Sequence, residues 1–487
     1  MFWPCGVLER LRRERAKDFD LSIRDTLEKW KDPSLLSLVV GSPVNCLVLP
    51  WAAGLPEDSR HQHELIPLVK ACRESSINLV GLVESKVNFS AAADSARGAG
   101  LSALAMESVI EERSALPIIP WTERSRVSWN ISQQVVGLSK GVWPGIRGSY
   151  HSPEEAAEAG PTPNPWVDSN GWIIQLVRAE GPGVKVWMVL DPPSKNQSLR
   201  EESYVLAVAD SAAFGARWVV SLDDHLRTSL IQKGPAAMSS WKRILRSISF
   251  FTKHQNWETF VADAVLGVIS DFVGDNEYMS EEVLNLANRR QLPFRVILKT
   301  RWTNGSLEGL KAALYVDQQP PNKELRQDLL RFGESGGLLI VFLSWGKVEG
   351  VYEYDALDGR FRIYRLGKGR LAVAKEIPED PYVLAADVQL LVSRRNDLIR
   401  IYNGSAMTLS YSVARRTGTS LVQLVDYSGW NSSEEVSVWI RRPTCSAHFW
   451  ALDSDTASTL SGSGVSNGVE FHLPRFSVYA SVEECGS

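Results

Sequence analysis

Several acidic residues follow apolar runs that the sequence predicts to be parallel β-strands. The C-terminal ends of such strands meet at one face, so we expect these carboxylates to converge. They are Glu84, Glu107, Glu123, Asp191, Asp223 and Asp224. Two carboxyl groups that flank a glycosidic bond, about 5 Å apart for retention or roughly 6.5–9.5 Å for inversion, hydrolyse it by acid–base chemistry. Acids in such loops also cap helices, so each one has a structural alternative.

The run Asp223-Asp224-His225 is the sharpest catalytic candidate. Adjacent carboxylates repel each other, which favours the protonated, acid form of one of them, and His225 could orient it. In the structural alternative, Asp223 caps the helical segment that begins at His225, and Asp224 faces solvent. We favour the catalytic interpretation.

Glu123 and Asp191 are the other catalytic candidates. Glu123 stands between Trp121, a platform for stacking on a sugar ring, and Arg124; a salt-bridged surface glutamate is the alternative. Asp191 precedes two prolines that stiffen its loop, and it is predicted to be a base or an acceptor for sugar hydroxyls, or else a turn residue. Trp143, in the glycine-flanked loop KGVWPG, is predicted to be a second sugar platform, or else a buried packing residue.

A proline-stiffened loop, GPTPNPWVDSNGW at 160–172, places aromatic rings beside an acid and an amide. Exposed aromatic faces next to such groups suit a polyhydroxylated ring. We therefore predict that Trp166, Asp168, Asn170 and Trp172 bind carbohydrate, with the two polar residues holding substrate hydroxyls. The alternative is an ordinary helix N-cap with buried tryptophans.

These residues need a scaffold, and the pattern of apolar runs predicts one. Strands alternate with helices from 44 to 258, which favours parallel βαβ units closed as a (β/α)8-like TIM barrel. The predicted strands are 46–51, 78–84, 101–107, 116–121, 134–139, 184–190 and 217–222. An eighth strand is missing, degenerate or supplied by 264–270.

Two further regions follow the barrel, and a 43-residue N-terminal extension (1–43) precedes it. A second βα block at 259–346 predicts a flavodoxin-like α/β domain. Residues 347–487 combine an irregular β segment with two-residue periodicity between turns, which predicts a C-terminal antiparallel β-sandwich.

Composition limits the partners. The chain of 487 residues has a net charge of −4 and no basic run beyond RRER at 12–15, so we predict binding neither to nucleic acid nor to an anionic membrane. No apolar run reaches transmembrane length, and the N-terminus lacks the order of a signal peptide. We expect a soluble protein, cytoplasmic or a mature exported form. Seventeen tryptophans suit sugar stacking.

Motifs for other chemistries are missing from the sequence. It contains no GxSxG, P-loop or dinucleotide fingerprint, and no cofactor is expected. Five cysteines without a CxxC, and histidines on different helix faces in HQHE at 61–64, predict no metal site. Cys46 and Cys72 are predicted to be inert core thiols, and a Cys445–Cys485 pair is left open.

The order of barrel, flavodoxin-like domain and sandwich resembles the three-domain β-galactosidases of glycoside hydrolase family 42 and related unclassified TIM-barrel glycosidase-like proteins. The text at 271–297, DFVGDNEYMSEEVLNLANRRQLPFRVI, is similar to the opening of their middle domain. Residues 314–342 resemble its later half, and SLVQLVDYSGW at 420–430 resembles their closing sandwich. The resemblance implies a carbohydrate substrate and a homo-oligomer that associates through the middle domain.

The sequence departs from that family at the catalytic positions. Its members carry an Asn-Glu pair after the fourth strand and a second Glu after the seventh. Here the fourth strand ends in PWTE at 120–123, without the asparagine, and the seventh ends in LDDH at 222–225.

Our leading hypothesis is a glycoside hydrolase-like enzyme that cleaves an oligosaccharide with carboxylates at the barrel rim. The alternative is a catalytically silent carbohydrate-binding or assembly protein on the same scaffold. A third hypothesis is a barrel enzyme of different chemistry, such as a lyase.

Overall fold

The computed structural model describes residues 1–17, 21–107, 116–127, 134–147, 165–193, 199–376, 378–428, 435–442 and 446–484. The chain forms two compact units: Met1–Glu158 with Gly181–Gln255, and Ala159–Glu180 with Asn256–Ser487. The helices in the described part are α1 Gly6–Arg15, α2 Arg24–Lys29, α3 Asp58–Glu74, α4 Phe89–Ala99, α5 Gly171–Glu180, α6 Glu201–Ala212, α7 Asp224–Ile231, α8 Pro235–Lys253, α9 Glu277–Arg289, α10 Lys323–Glu334 and α11 Pro381–Val392.

The first unit is built on a seven-stranded parallel sheet whose strands follow their order in the chain. The strands are β1 Cys46–Ala52, β2 Asn78–Val83, β3 Ala103–Met106, β4 Ile118–Thr122, β5 Val135–Leu138, β6 Lys185–Met188 and β7 Ala216–Trp218. Their residues are mostly buried, which explains the continuous apolar runs in the sequence. All seven strands predicted for this region are present.

The first three residues of the chain bond to both edges of this sheet. Phe2 bridges Val48 of β1 in parallel register, and the Trp3 N–H donates to the Val48 carbonyl at 2.7 Å. On the other side, the Phe2 N–H donates to the carbonyl of Val220, just beyond β7, at 2.9 Å. Residues 264–270, one alternative for an eighth strand, instead contribute a strand to the sheet of the second unit.

A glycine in β5 makes room for a large side chain of β4. A Cβ atom on Gly137 would lie 2.7 Å from Cε3 of Trp121, so no larger residue fits there without a shift. The Trp121 ring is consequently buried against β5 at the C-terminal end of the sheet.

The second unit begins with a mixed seven-stranded sheet. Its strands are β8 Leu266–Ser270, β9 Phe294–Leu298, β10 Ala312–Tyr315, β11 Leu338–Val341, β12 Val351–Ala356, β13 Phe361–Leu366 and β14 Gly369–Ala374, arranged in the order β9-β8-β10-β11-β14-β13-β12. The pairs from β9 to β14 are parallel, and β14-β13 and β13-β12 are antiparallel.

One stretch that the sequence analysis assigned to irregular β structure differs in the structure. Strands β12 to β14 extend the mixed sheet, and helix α11 follows them. The helix begins because the Asp380 side chain accepts a hydrogen bond from the Tyr382 N–H at 2.8 Å, while Pro381 occupies the first turn. The sequence shows no helical period here, because apolar residues surround this helix instead of forming one stripe.

The chain ends in two antiparallel sheets that share a core. The strands are β15 Ile399–Tyr402, β16 Met407–Val413, β17 Ser420–Asp426, β18 Ser437–Ile440, β19 Ser446–Ala451, β20 Ser458–Ser461, β21 Ser463–Val465, β22 Gly468–His472 and β23 Tyr479–Glu484. The order is β15-β18-β22-β21 in one sheet, and β16-β17-β23-β19-β20 in the other, where Val261–Ala262 adds an edge. Residues of both sheets, including Leu424 and Phe471, form one apolar cluster.

Helices long and apolar enough to cross a bilayer are absent from the described part of the chain.

Candidate functional site

A cavity of about 460 Å³ lies in the first unit where the parallel strands end. Its wall contains Trp121 and Glu123 at the end of β4, Trp143 from the loop after β5, and Asp191 from the loop after β6. These four predicted site residues are therefore brought together. A volume of this size is typical of small-molecule sites.

Glu107, which follows β3, is a further carboxylate in the cavity wall. Burial raises the pKa of Glu107, and the negative charge of Glu84 raises it further, against the opposing positive charges of Arg12 and Arg15. A carboxyl group that holds its proton more tightly than usual is suited to act as a general acid. The sequence placed Glu107 among the strand-end acids, but its neighbours Arg12 and Glu84 are far from it along the chain.

Arg12 brings a positive charge into the same cavity. Its guanidinium is held by Glu9, which accepts from Nε at 2.9 Å and from a terminal nitrogen at 3.0 Å. The guanidinium lies 3.9 Å from the Asp191 carboxylate. Burial lowers the pKa of Arg12, but the charge and hydrogen bonds of Glu9 outweigh this and raise it, and the charges of Asp191 and Glu107 add smaller contributions. Arg12 thus stands near both acids. Its only signal in the sequence was the short basic run of α1.

Two further predicted acids line the cavity, and both are exposed to solvent, as Glu107 is. The side chain of Asp191 is 73% exposed, and that of Glu123 is 42% exposed with the Lys140 ammonium 3.9 Å away. Both carboxylates are accessible to a ligand in the cavity.

The cavity also contains an unused hydrogen-bonding group that sequence reasoning missed. Ser221, beyond the end of β7, lines the cavity and is almost fully buried. Its hydroxyl has no hydrogen-bond partner among the described residues. Because a buried hydroxyl without a partner is unfavourable, it is ready to bond a hydroxyl of a bound molecule. A lone serine in the sequence VVSLD at 219–223 carries no signal of such a role.

The ring of Trp143 is fixed by other aromatic residues. It contacts Tyr204 and Trp218 edge-to-face, with ring centroids 5.9 and 5.5 Å away. The indole N–H of Trp143 has no hydrogen-bond partner within the described part of the chain. Trp143 therefore combines the packing role and the cavity-lining role that the sequence left as alternatives.

Asp223 caps a helix, as the structural alternative for this residue predicts. Its side chain accepts from the Leu226 N–H at 2.9 Å as the N-cap of α7, and it also accepts from the Tyr204 hydroxyl and, at 3.4 Å, from the Leu199 N–H. Asp223 is not among the described residues that line the cavity.

Asp224 and His225 also lie outside the cavity wall. The Asp224 carboxylate accepts from Arg13 at 2.9 Å and from Arg227 at 3.1 Å, so it is ion-paired rather than facing solvent alone. His225, the next residue of α7, is exposed. The catalytic role of this run remains a prediction. In the structure, the Asp223 carboxylate caps α7 and the Asp224 carboxylate pairs with arginines.

Residues 160–164 of the loop at 160–172 lie outside the described residues. Residues 165–172 are described and belong to the second unit. Trp166 donates from its indole N–H to Asp168 at 3.1 Å and lines a cavity within that unit. Asn170 is buried, and its backbone carbonyl accepts from the Ile174 N–H in the first turn of α5. Trp172 is partly buried and packs on the apolar core of the second unit. Trp166 is thus placed in another cavity than Trp121 and Trp143.

The cysteines that the structure describes are free thiols. Burial raises the pKa of Cys72 to about 12, as expected for an inert core thiol. Cys46 is partly buried, and its pKa is also raised by burial. Cys445 and Cys485 lie outside the described residues.

No protein-family model matches the chain, and no curated protein matches it. Among solved structures, α-L-fucosidase isoenzyme 2 from Paenibacillus thiaminolyticus is similar over 94% of this chain and 96% of its own, with a TM-score of 0.58 and 10% identity. A β-galactosidase from Bacillus circulans sp. alkalophilus is similar over 89% and 68%, with a TM-score of 0.43 and 10% identity. The exo-β-1,4-mannosidase Op5Man5 from Opitutaceae bacterium strain TAV5 is similar over 79% and 92%, with a TM-score of 0.46 and 10% identity.

The likeness to the fucosidase extends over nearly the whole of both chains. At this identity it concerns the fold alone: the chain has a glycosidase-like fold.

Proposed function

We propose that this protein is a glycoside hydrolase whose active site is the cavity lined by Glu107, Trp121, Glu123, Trp143 and Asp191. On this proposal the parallel sheet closes as a TIM-type barrel, with the segment Met1–Trp3 standing between its first and last strands. The cavity then occupies the C-terminal face, where barrel enzymes hold their active sites. The observation that carries the proposal is the meeting of three carboxylates and two tryptophans in one cavity.

Glu107 and Asp191 differ in the charged groups that act on them. Burial and the charge of Glu84 raise the pKa of Glu107, so we assign it the role of general acid toward the leaving oxygen. Asp191 is exposed, and Arg12 interacts with both Asp191 and Glu107, so we assign Asp191 the role of nucleophile or base. Two such acids are what glycoside hydrolysis requires.

The remaining groups would bind the sugar. Trp143 offers aromatic surface to a pyranose ring, the buried Trp121 contributes an edge of the wall, and Glu123 and the Ser221 hydroxyl can bond the sugar hydroxyl groups. Asp223 and Asp224 serve the structure through the cap of α7 and the ion pairs with Arg13 and Arg227.

The test is hydrolysis of a panel of aryl glycosides by the wild type and by Glu107→Gln and Asp191→Asn. We expect turnover of at least one member by the wild type, and a loss of about 100-fold or more in kcat in each variant, the usual weight of such groups. Arg97→Gln, on the exposed face of α4, is the control. Unchanged turnover in both site variants would overturn the assignment.

One observation favours a second function, a carbohydrate-binding protein without activity. Arg12 and Lys140 each stand 3.9 Å from one of the exposed carboxylates, Asp191 and Glu123, so both acids already have a cationic neighbour. This alternative predicts saturable binding of a sugar, lost in Trp143→Ala, with no hydrolysis of any panel member by the wild type.

The proposal also includes self-association. We infer a homo-oligomer from the resemblance to the family 42 enzymes, and light scattering after size-exclusion chromatography measures it directly.

A further inference from the structure

A second cavity, of about 390 Å³, lies within the second unit. The end of α9 contributes Arg289 and Arg290 to its wall, α11 contributes Tyr382 and Gln389, and Trp166 lines it too. We call it the arginine–aromatic cavity. The hydrolase proposal does not involve it.

Both arginines are oriented by aromatic rings. The guanidinium carbon of Arg289 lies 3.4 Å from the centre of the Trp166 ring, and that of Arg290 lies 4.9 Å from the centre of the Tyr382 ring. Arg290 also donates to the Gln389 side chain at 3.3 Å. A guanidinium held over the face of a ring keeps its N–H groups in its own plane, where two of them match the two oxygens of an anion.

The other polar side chains of the cavity are uncharged, and the rest of its described lining is apolar or glycine. Asn403 and Ser405, from the turn after β15, are exposed in its wall, and Gln389 adds an amide. The described lining contains two arginines and no aspartate or glutamate, so the charged side chains in the wall are both cationic. Neutral sugars are commonly bound by aromatic rings with carboxylates and amides; here arginines stand in place of the carboxylates.

We propose that the arginine–aromatic cavity binds an anionic saccharide, with Arg290 and Arg289 paired to its carboxylate or sulfate ester. The exposed ring of Tyr382 packs against a pyranose, and Asn403 and Gln389 bond its hydroxyl groups. The volume accommodates roughly one or two rings, at the lower end of ligand cavities. The site is separate from the cavity of the first unit and does not depend on hydrolysis there.

The test is calorimetric titration of the full chain with three probes: trigalacturonate, a sulfated galactose disaccharide and neutral galactotriose. We expect the anionic probes to bind and galactotriose to bind at least about tenfold more weakly, because the charged hydrogen bonds are lost. Affinity should fall as salt increases. The two anionic probes distinguish a carboxylate ligand from a sulfate ester.

Two variants assign the binding to this cavity. Arg290→Gln should weaken an anionic probe about tenfold, whereas Arg475→Gln, at an exposed arginine elsewhere in the unit, should not. Tyr382→Ala should weaken it too, and Tyr278→Ala, at a more exposed tyrosine, should not. Circular dichroism confirms the fold of each variant, and Tyr382→Ala keeps the test valid if Arg290→Gln fails to fold.

Three results would overturn the proposal. One is equal binding of galactotriose and the anionic probes. Another is loss of binding in Arg126→Gln, in the wall of the first cavity, but not in Arg290→Gln. The third is competition by inorganic sulfate at the same concentration as the sulfated disaccharide, which would show an anion site without recognition of the sugar.

Discussion

Glu84 and Glu107 follow neighbouring parallel strands, and the negative charge of Glu84 raises the pKa of Glu107. Glu84 itself is paired with Arg15, whose guanidinium donates to it at 2.7 Å. The acid that we assign to catalysis is therefore tuned by a carboxylate from the adjacent strand and by an arginine from α1.

The first prediction concerns the pH dependence of turnover. A general acid works only while protonated, so activity is lost as the pH rises through the pKa of Glu107. Glu84→Gln removes the charge that raises this pKa and releases Arg15, whose charge lowers it. We expect the alkaline limb of the kcat/KM profile to move to lower pH. Glu74→Gln, at an exposed position of α3, should leave the limb in place, and an unmoved limb in Glu84→Gln would refute the coupling.

The second prediction separates binding from stability at Ser221. Its buried hydroxyl lacks a partner among the described residues, so Ser221→Ala should not lower the free energy of unfolding. The same change should raise KM about three- to tenfold, the weight of one neutral hydrogen bond. Denaturant titration and steady-state kinetics measure the two effects. Ser247→Ala, whose hydroxyl donates to the Ile244 carbonyl, should leave KM unchanged; an unchanged KM in Ser221→Ala would remove Ser221 from the site.

The third prediction concerns the buried Glu9. Its burial opposes ionisation, yet Arg12 and Arg13 outweigh this effect and hold the pKa of Glu9 below its usual value. Glu9→Gln should lower the free energy of unfolding by about 3–5 kcal/mol at neutral pH, because it removes the fully buried carboxylate that Arg12 and Arg13 share. Glu14→Gln, in an exposed pair with Arg10, should cost less than about 1 kcal/mol.

The sign of the pH effect at Glu9 follows from its lowered pKa. The stabilisation is fully present above the pKa of a glutamate in the unfolded chain, about 4.3, and is lost as the pH falls through the lower pKa of the folded state. The difference between wild type and Glu9→Gln should consequently shrink in acid. A difference that stays constant from neutral pH to acid would contradict the ion-pair account.

The fourth prediction assigns Asp223 to structure. Asp223→Ala should lower the free energy of unfolding by about 2 kcal/mol, because it removes the cap of α7 and the acceptor for the Tyr204 hydroxyl. The kcat of the folded fraction should remain within about threefold of the wild type. Asn88→Ala, at the cap of α4, provides the comparison. A fall in kcat of about 100-fold in Asp223→Ala would restore its catalytic role.

The strands of the first sheet could be predicted from sequence because their apolar runs report burial on both faces. Strand β2, for example, occupies Asn78–Val83 where 78–84 was expected. The role of Met1–Trp3 could not be predicted, because three residues carry no period and their partners Val48 and Val220 are distant in the chain. Helix α11 was missed since its apolar residues surround the helix instead of forming one stripe.

The candidate site could be predicted as a class of residues but not residue by residue. Strand-end acids converge in any parallel sheet, and Glu123 and Asp191 do line one cavity. The choice between Asp223 and Glu107 depends on contacts with Tyr204, Arg12 and Glu84, which no local pattern reveals. For the same reason, the spacing of the loop at 160–172 did not indicate that Trp166 would meet Arg289.

The most direct test of the central claim is the response of Glu107→Gln to the leaving group of the substrate. For the sugar that the wild type hydrolyses, kcat/KM is measured for the phenyl glycoside and for the 2,4-dinitrophenyl glycoside, whose leaving group needs no proton. If Glu107 is the general acid, the phenyl glycoside should lose about 100-fold or more and the dinitrophenyl glycoside less than about tenfold. Equal losses on both substrates, or no loss on either, would contradict the assignment.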